Sequence, residues 1–163
     1  MSTGRVQVYY GNGRGKTSAA LGYAIHEASK DGSVVIIQFL KQKDDDEISF
    51  IRRLEPEIRL FRFQKSEKFY DELSEQEQLE EQLSMKNGMS YARKVLQTGE
   101  CSTLILDEVL GLLDNGIVTD EDLINLIRVK SEETDLILTG RVISDAIFES
   151  ADQVYEICTK KEV

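Results

Sequence analysis

Apolar and polar positions alternate along this chain in two rhythms. Six short segments are apolar almost throughout or at every second position: "RVQVYY" from Arg5, "SVVIIQFL" from Ser33, "IRLFRF" from Ile58, "STLILDE" from Ser102, "TDLILTG" from Thr134 and "QVYEI" from Gln153. Segments of this length, rich in Val, Ile and aromatics, predict strands. Between them the apolar residues fall three and four apart, the spacing of a helix face. From Lys16 to Lys30 that face carries Ala20, Leu21, Ala24, Ile25 and Ala28, and Gly32 follows as a C-cap. Ser74 with Glu77 forms a capping box, opening a helix to about Leu96 with Leu79, Leu83, Met89 and Leu96 among its inner positions. Thr119, followed by Asp120, Glu121 and Asp122, caps a helix bearing Leu123, Ile124 and Ile127, and "ISDAIFESA" predicts a short one. "KQKDDDEIS", from Lys41, is polar and predicts a loop.

Strand and helix alternate throughout, so the fold class is α/β, a mostly parallel sheet with helices on both faces. The near-continuous apolar strands agree, because a parallel sheet is covered on both sides. The 163 residues, with a single proline and no low-complexity tract, predict a single domain over 1–163. Ligand-binding loops are expected at the carboxyl ends of the strands.

Composition narrows the partners. The net charge is −10, which argues against nucleic acid, since polyphosphate chains are held by clustered Lys and Arg. The N-terminal residues lack a secretory signal pattern, and no apolar stretch approaches the ~18 residues of a membrane span, so neither secretion nor a membrane is expected. Cys101 and Cys158 read as free thiols of a reducing, cytoplasmic compartment, and the lone His26 reads as a structural residue of the first helix.

The chemistry concentrates where the first strand meets the first helix. "GNGRGKTS" places Gly11, Asn12, Gly13, Arg14, Gly15, Lys16, Thr17 and Ser18 at a strand–turn–helix junction. Glycines let backbone N–H groups converge on phosphate oxygens, and a helix N-terminus adds partial positive charge. Lys16 supplies a mobile cation and Thr17 a hydroxyl suited to Mg²⁺. The turn departs from G-x-x-x-x-G-K-[ST] in having Tyr10 at its first position. Asp107 and Glu108 close the strand "TLILDE", where a P-loop site places its cation-holding carboxylate; the alternative is a solvated strand end. Arg141, after "LTG", lies on the same rim as a phosphate donor or as one half of a surface ion pair. Together these features predict a P-loop NTPase-like fold.

"GNGRGKTSAALGYA", "VVIIQFLK", "LILDEV" and "LTGR", in this order, resemble the ATP:corrinoid adenosyltransferases. In that family the variant P-loop is preceded by a residue other than glycine, which accounts for Tyr10. The resemblance implies transfer of the 5′-deoxyadenosyl group of ATP to Co(I) of a reduced corrinoid, with release of triphosphate, in cobalamin biosynthesis or salvage. It implies a triphosphate wrapped by residues 11–18, with Lys16 and Arg141 as catalytic contacts. It further implies Mg²⁺ at Thr17, Asp107 and Glu108, the nucleotide lying reversed relative to ordinary P-loop ATPases, a homodimer, and a corrinoid reductase as partner. Members place a Phe and a Trp after the third strand to exclude the lower ligand of cobalt. This chain has no Trp, and in "FRFQKSEKFYDEL" the candidates are Phe63, Phe69 and Tyr70. Two other readings of the same residues stay open: an ATPase or small-molecule kinase, and a nucleotide-binding regulator without transfer activity.

Overall fold

The computed structural model describes residues 3–40 and 45–163. In chain order the elements are β1 (Val6–Tyr10), α1 (Lys16–Ala28), β2 (Val34–Gln38), α2 (Asp45–Arg52), β3 (Ile58–Arg62), α3 (Glu75–Thr98), β4 (Thr103–Asp107), α4 (Val109–Asp114), α5 (Asp120–Val129), β5 (Asp135–Gly140), α6 (Asp145–Ser150) and β6 (Gln153–Glu156), with a 3₁₀ turn at Tyr70–Glu72. The strands form one six-stranded sheet in the order β3-β2-β4-β5-β1-β6. Every pairing is parallel.

Side chains alternate across a strand, so each strand feeds two cores. Val6, Val8, Val35, Ile37, Leu104, Leu106, Leu136 and Leu138 point to one face, under Met85, Val95 and Leu96 of α3, Leu110 of α4, Leu123 of α5 and Ile147 of α6. Val34, Ile36, Ile105 and Ile137 point to the other, under Ala20 and Ala24 of α1 and beside Ile51 of α2. Each fully buried aliphatic side chain contributes about 1.5–3 kcal/mol, which makes these two layers the main source of stability.

All six expected strands form, and the capping boxes at Ser74 and Thr119 are both closed. The C-cap of α1 is Ser29, not Gly32, whose N–H closes the following turn on Glu27 O (3.0 Å). Three larger expectations change. Residues 45–49 of the expected polar loop belong to helix α2, which Ile51 anchors in the core; residues 41–44 lie outside the described residues. In α3, Leu79 and Leu83 face solvent, 56% and 65% exposed. The inner face is instead Glu81, Ser84, Met85, Gly88, Ala92, Val95 and Leu96, where small residues allow close approach. At Gly88 an added Cβ would lie 2.8 Å from the Phe39 ring. The third change is α4, which forms directly after β4 although no periodic run marks it.

The strand order decides what can meet at the carboxyl edge. The P-loop strand β1 lies between β5 and β6, and β5 separates β1 from β4. Residues at the ends of β1 and β4 therefore meet across the end of β5.

Candidate active site at the carboxyl edge of the sheet

The turn from β1 into α1 is shaped by the strand ends on both sides. Gly11 N–H donates to the carbonyls of Gly140 and Arg141 (both 3.1 Å), Gly13 N–H donates to Ile157 O (3.0 Å), and Ile157 N–H donates to Tyr10 O (2.7 Å). Gly11 and Gly15 have φ of 130° and 110°, a region that L side chains rarely adopt. The first intrahelical bond of α1 is Ala19 N–H to Gly15 O. Gly15 caps the helix with no side-chain hydrogen bond, so Lys16, Thr17 and Ser18 occupy an open first turn whose N–H groups and dipole favour an anion. The Lys16 ammonium folds over the loop, donating to Gly11 O (2.7 Å) and Gly13 O (2.9 Å). Asn12, Arg14 and Ser18 are exposed, and Arg14 makes a 3.9 Å ion pair with Glu162, both side chains well solvated. Such a pair contributes little.

Asp107 is the centre of a hydrogen-bonded row. It is 1% exposed. The Thr17 hydroxyl donates to its Oδ1 (3.0 Å) and Oδ2 (3.2 Å), Thr139 Oγ1 donates to Oδ1 (2.7 Å), and Gln38 Nε2 donates to Oδ2 (3.3 Å). Thr139 Oγ1 in turn accepts from Glu108 N–H (2.8 Å), and Gln38 Oε1 accepts from Arg62 Nε (2.8 Å). Arginine can only donate, so the Gln38 amide must turn its oxygen to Arg62 and its nitrogen to the carboxylate.

Glu108 follows in the left-handed region, φ 62°. That turn directs it out of the sheet into a cleft of about 410 Å³, whose wall also includes Arg141, Phe69, Tyr70, Asp71, Asp114 and Asn115. Arg141 is exposed, and its backbone carbonyl holds Gly11. The cleft is thus tied to the P-loop twice, through Arg141 and through Glu108, the residue after the carboxylate that holds Thr17. A larger hollow, about 1270 Å³, lies elsewhere. It runs along β1 and β6 beside α1, past Tyr9, Tyr23 and Tyr155, and includes neither Thr17, Asp107 nor Arg141.

Two of the three aromatic candidates reach the cleft. Phe69 is 52% exposed there. Tyr70 is held by Gln82 Nε2 donating to its hydroxyl (2.6 Å) and Gln78 Nε2 donating to its carbonyl (3.0 Å). Phe63 does not join them. It packs on Tyr91 (ring centroids 5.9 Å apart) and over Gly88 of α3.

For a cation, Thr17 and Glu108 present hard oxygen atoms. Among the described residues no group of three or more His, Cys, Asp or Glu converges. The donor set therefore fits an ion that takes few protein ligands and completes its shell with phosphate oxygens and water, which is the habit of Mg²⁺.

Sequence reasoning missed Gln38, Arg62 and Thr139 as part of the site, and Glu81 behind it. The first three carried a signal: each is the polar residue closing an apolar strand, in "VVIIQ", "IRLFR" and "DLILT". Glu81 is 4% exposed. Its carboxylate accepts from the backbone N–H of Lys65 (3.1 and 3.2 Å) and Ser66 (2.7 Å), pinning the segment that leads to Phe69.

Known proteins share sequence with this chain. A corrinoid adenosyltransferase of Escherichia coli is 25% identical over 154 residues, covering 94% of this chain and 76% of the relative. An uncharacterised protein of Nostoc sp. is 29% identical over 164 residues, covering 92% of this chain. The chain spans 42% of the length of the Nostoc protein. The model of the family described as ATP:corrinoid adenosyltransferase BtuR/CobO/CobP matches residues 2–163. With the match covering residues 2–163, this chain belongs to the ATP:corrinoid adenosyltransferase family BtuR/CobO/CobP.

Proposed function

We propose that this protein transfers the 5′-deoxyadenosyl group of ATP to the cobalt of a reduced corrinoid and releases triphosphate. The observation that carries the proposal is that the cleft adjoins the P-loop: Arg141 lines the cleft and accepts Gly11 N–H, and Glu108 lines it directly after Asp107, the carboxylate that holds Thr17. A nucleotide held at the loop and a flat ligand held in the cleft would meet there.

The reaction needs little from the protein as a reagent. The Co(I) electron pair attacks the 5′ carbon, the bond between that carbon and the ester oxygen breaks, and its electrons leave with triphosphate. Cobalt is formally oxidised to Co(III). No proton is removed from the nucleophile, so no general base is required. What remains is alignment and stabilisation of charge on the leaving group. The α1 first turn and Lys16 face that charge. Lys16 now bridges two loop carbonyls, and swinging onto the triphosphate exchanges those contacts for stronger, charge-assisted ones. Arg141, just past the end of β5, would reach the nucleotide. Mg²⁺, held by Thr17 and Glu108, would neutralise part of the triphosphate charge. Asp107, which accepts from Thr17, Thr139 and Gln38, would act through Thr17. Phe69 and Tyr70 offer apolar surface to the lower face of the corrinoid, where excluding water favours Co(I).

The test is anaerobic incubation with ATP, Mg²⁺ and chemically reduced cobalamin or cobinamide, followed by the visible spectrum. A light-sensitive alkylcorrinoid spectrum supports the proposal. Its absence with every corrinoid, in protein that still binds ATP, favours a nucleotide-binding regulator.

A further inference from the structure

Four polar side chains close four adjacent strands in one cross-strand row: Arg62 of β3, Gln38 of β2, Asp107 of β4 and Thr139 of β5. Gln38 is the register partner of both Arg62 and Asp107, and Thr139 stands one residue beyond the Leu106–Leu138 pair. Apart from Arg62 they are buried: Gln38 is 3% exposed, Asp107 1% and Thr139 0%. Buried polar groups are retained at a desolvation cost unless hydrogen bonds offset it. Here hydrogen bonds from Thr17, Thr139 and Gln38 converge on one carboxylate.

We propose that Thr139 and Gln38 are positioning residues of the nucleotide–cation site, acting through Asp107 on the Thr17 hydroxyl. This rests on the nucleotide half of the proposed function. β5 separates the P-loop strand from β4, so Asp107 must reach across the end of β5 to meet Thr17. Thr139 stands at that crossing. Its single proton goes to Asp107 Oδ1 (2.7 Å), while its oxygen accepts Glu108 N–H (2.8 Å). One hydroxyl thus fixes both the carboxylate that orients Thr17 and the left-handed turn that sends Glu108 into the cleft. Gln38 holds the other carboxylate oxygen (3.3 Å) and is itself oriented by Arg62 (2.8 Å). With its proton committed to Asp107, Thr17 Oγ1 turns lone pairs toward the α1 first turn, where a phosphate-bound cation would sit. A loose Asp107 would let that hydroxyl rotate and present its proton to the cation.

The experiment is calorimetric titration of ATP with and without Mg²⁺, a binding readout independent of turnover. In the parent, Mg²⁺ should tighten ATP binding. Thr139→Val keeps the shape and removes the hydroxyl. It should lower the Mg²⁺ enhancement by about tenfold or more, the usual cost of removing an orienting partner of a ligand, while Mg²⁺-free ATP affinity stays within about twofold, because the loop amides and Lys16 are untouched. Thr139→Ser should restore the enhancement. Gln38→Met, which removes a different partner of the same carboxylate, should give a smaller loss in the same direction, and it decides the matter should Thr139→Val fail to fold. A purely structural role would lower the melting temperature and leave the enhancement at its parent value in both variants; that result overturns the proposal. So does a parent whose ATP affinity ignores Mg²⁺. A parent that binds no ATP at all overturns the functional reading itself.

Discussion

The first glycine of the P-loop offers a sharp test of what shapes the turn. Gly11 has φ 130°, and a Cβ added there would lie 2.1 Å from the backbone oxygen of Ile157 and 2.9 Å from its carbon. The obstructing atoms are main chain at the exit of β6, so no side-chain rotation relieves the clash. Gly11→Ala must push that exit away. Doing so sacrifices the Ile157–Tyr10 (2.7 Å) and Gly13–Ile157 (3.0 Å) hydrogen bonds, each worth about 1 kcal/mol net. Holding alanine at a sparsely populated φ adds about 1–3 kcal/mol. The sum is about 3–5 kcal/mol, a large share of the ~5–15 kcal/mol that keeps a domain folded. Gly15→Ala is the internal control. Its φ is 110°, but nothing lies within 4 Å of the added Cβ; only the strain of about 1–3 kcal/mol applies. Guanidinium unfolding of the three proteins, with m-values compared, should order them parent, Gly15→Ala, Gly11→Ala. If Gly15→Ala is destabilised as much as Gly11→Ala, the idea that β6 braces the loop is wrong.

Other expectations follow from the same geometry. Lys16→Ala should weaken ATP binding about tenfold or more, since a charge-assisted hydrogen bond contributes ~1.5–3 kcal/mol; unchanged calorimetric affinity in folded protein would remove the P-loop assignment. Glu81→Leu deprives the Lys65 and Ser66 N–H groups of their acceptor and should loosen the segment carrying Phe69 and Tyr70. The KM for corrinoid should rise several-fold with the KM for ATP within about twofold; equal changes in both would mean a general loss of structure. Burial, reinforced by the nearby Glu100 charge, pushes the Cys101 thiol up to about 11, whereas Cys158 is exposed. Iodoacetamide at neutral pH should therefore label Cys158 alone in the native protein, and both thiols in denaturant, as read by mass spectrometry. The same shift keeps Cys101 a neutral thiol, so its contribution to stability is intact below its unfolded pKa of ~8.5–9 and is lost as pH rises toward about 11.

The sequence was most legible where local rules act alone. Continuous apolar runs such as "SVVIIQFL" can be satisfied only inside a covered parallel sheet, and Ser74 and Thr119 announce their helices through capping chemistry within four residues. The glycines and "GKT" likewise declare an anion turn without help from the rest of the chain. What was hidden depends on contacts between distant residues. Leu79 and Leu83 have helical spacing, yet α3 turns its small residues inward, because Phe39 and Phe63 fill the space above Gly88. Phe63 is an aromatic beside the site in sequence, but the strand places it against Tyr91. Thr139 stands inside "LTGR", where in sequence only the arginine carries an evident chemistry. The threonine's role exists only because β5 lies between β1 and β4, and strand order is not written in any one strand.

In the proposed reaction the bond broken is the one to the 5′ carbon of ATP and not a phosphoanhydride. Phosphorus NMR of an anaerobic mixture containing the protein, ATP, Mg²⁺ and reduced corrinoid tests it most directly. Resonances of free triphosphate should appear in step with the adenosylated corrinoid and depend on both substrates. Accumulation of ADP and orthophosphate, at a rate indifferent to the corrinoid, would contradict this reaction and mark the protein as a phosphoanhydride-cleaving enzyme.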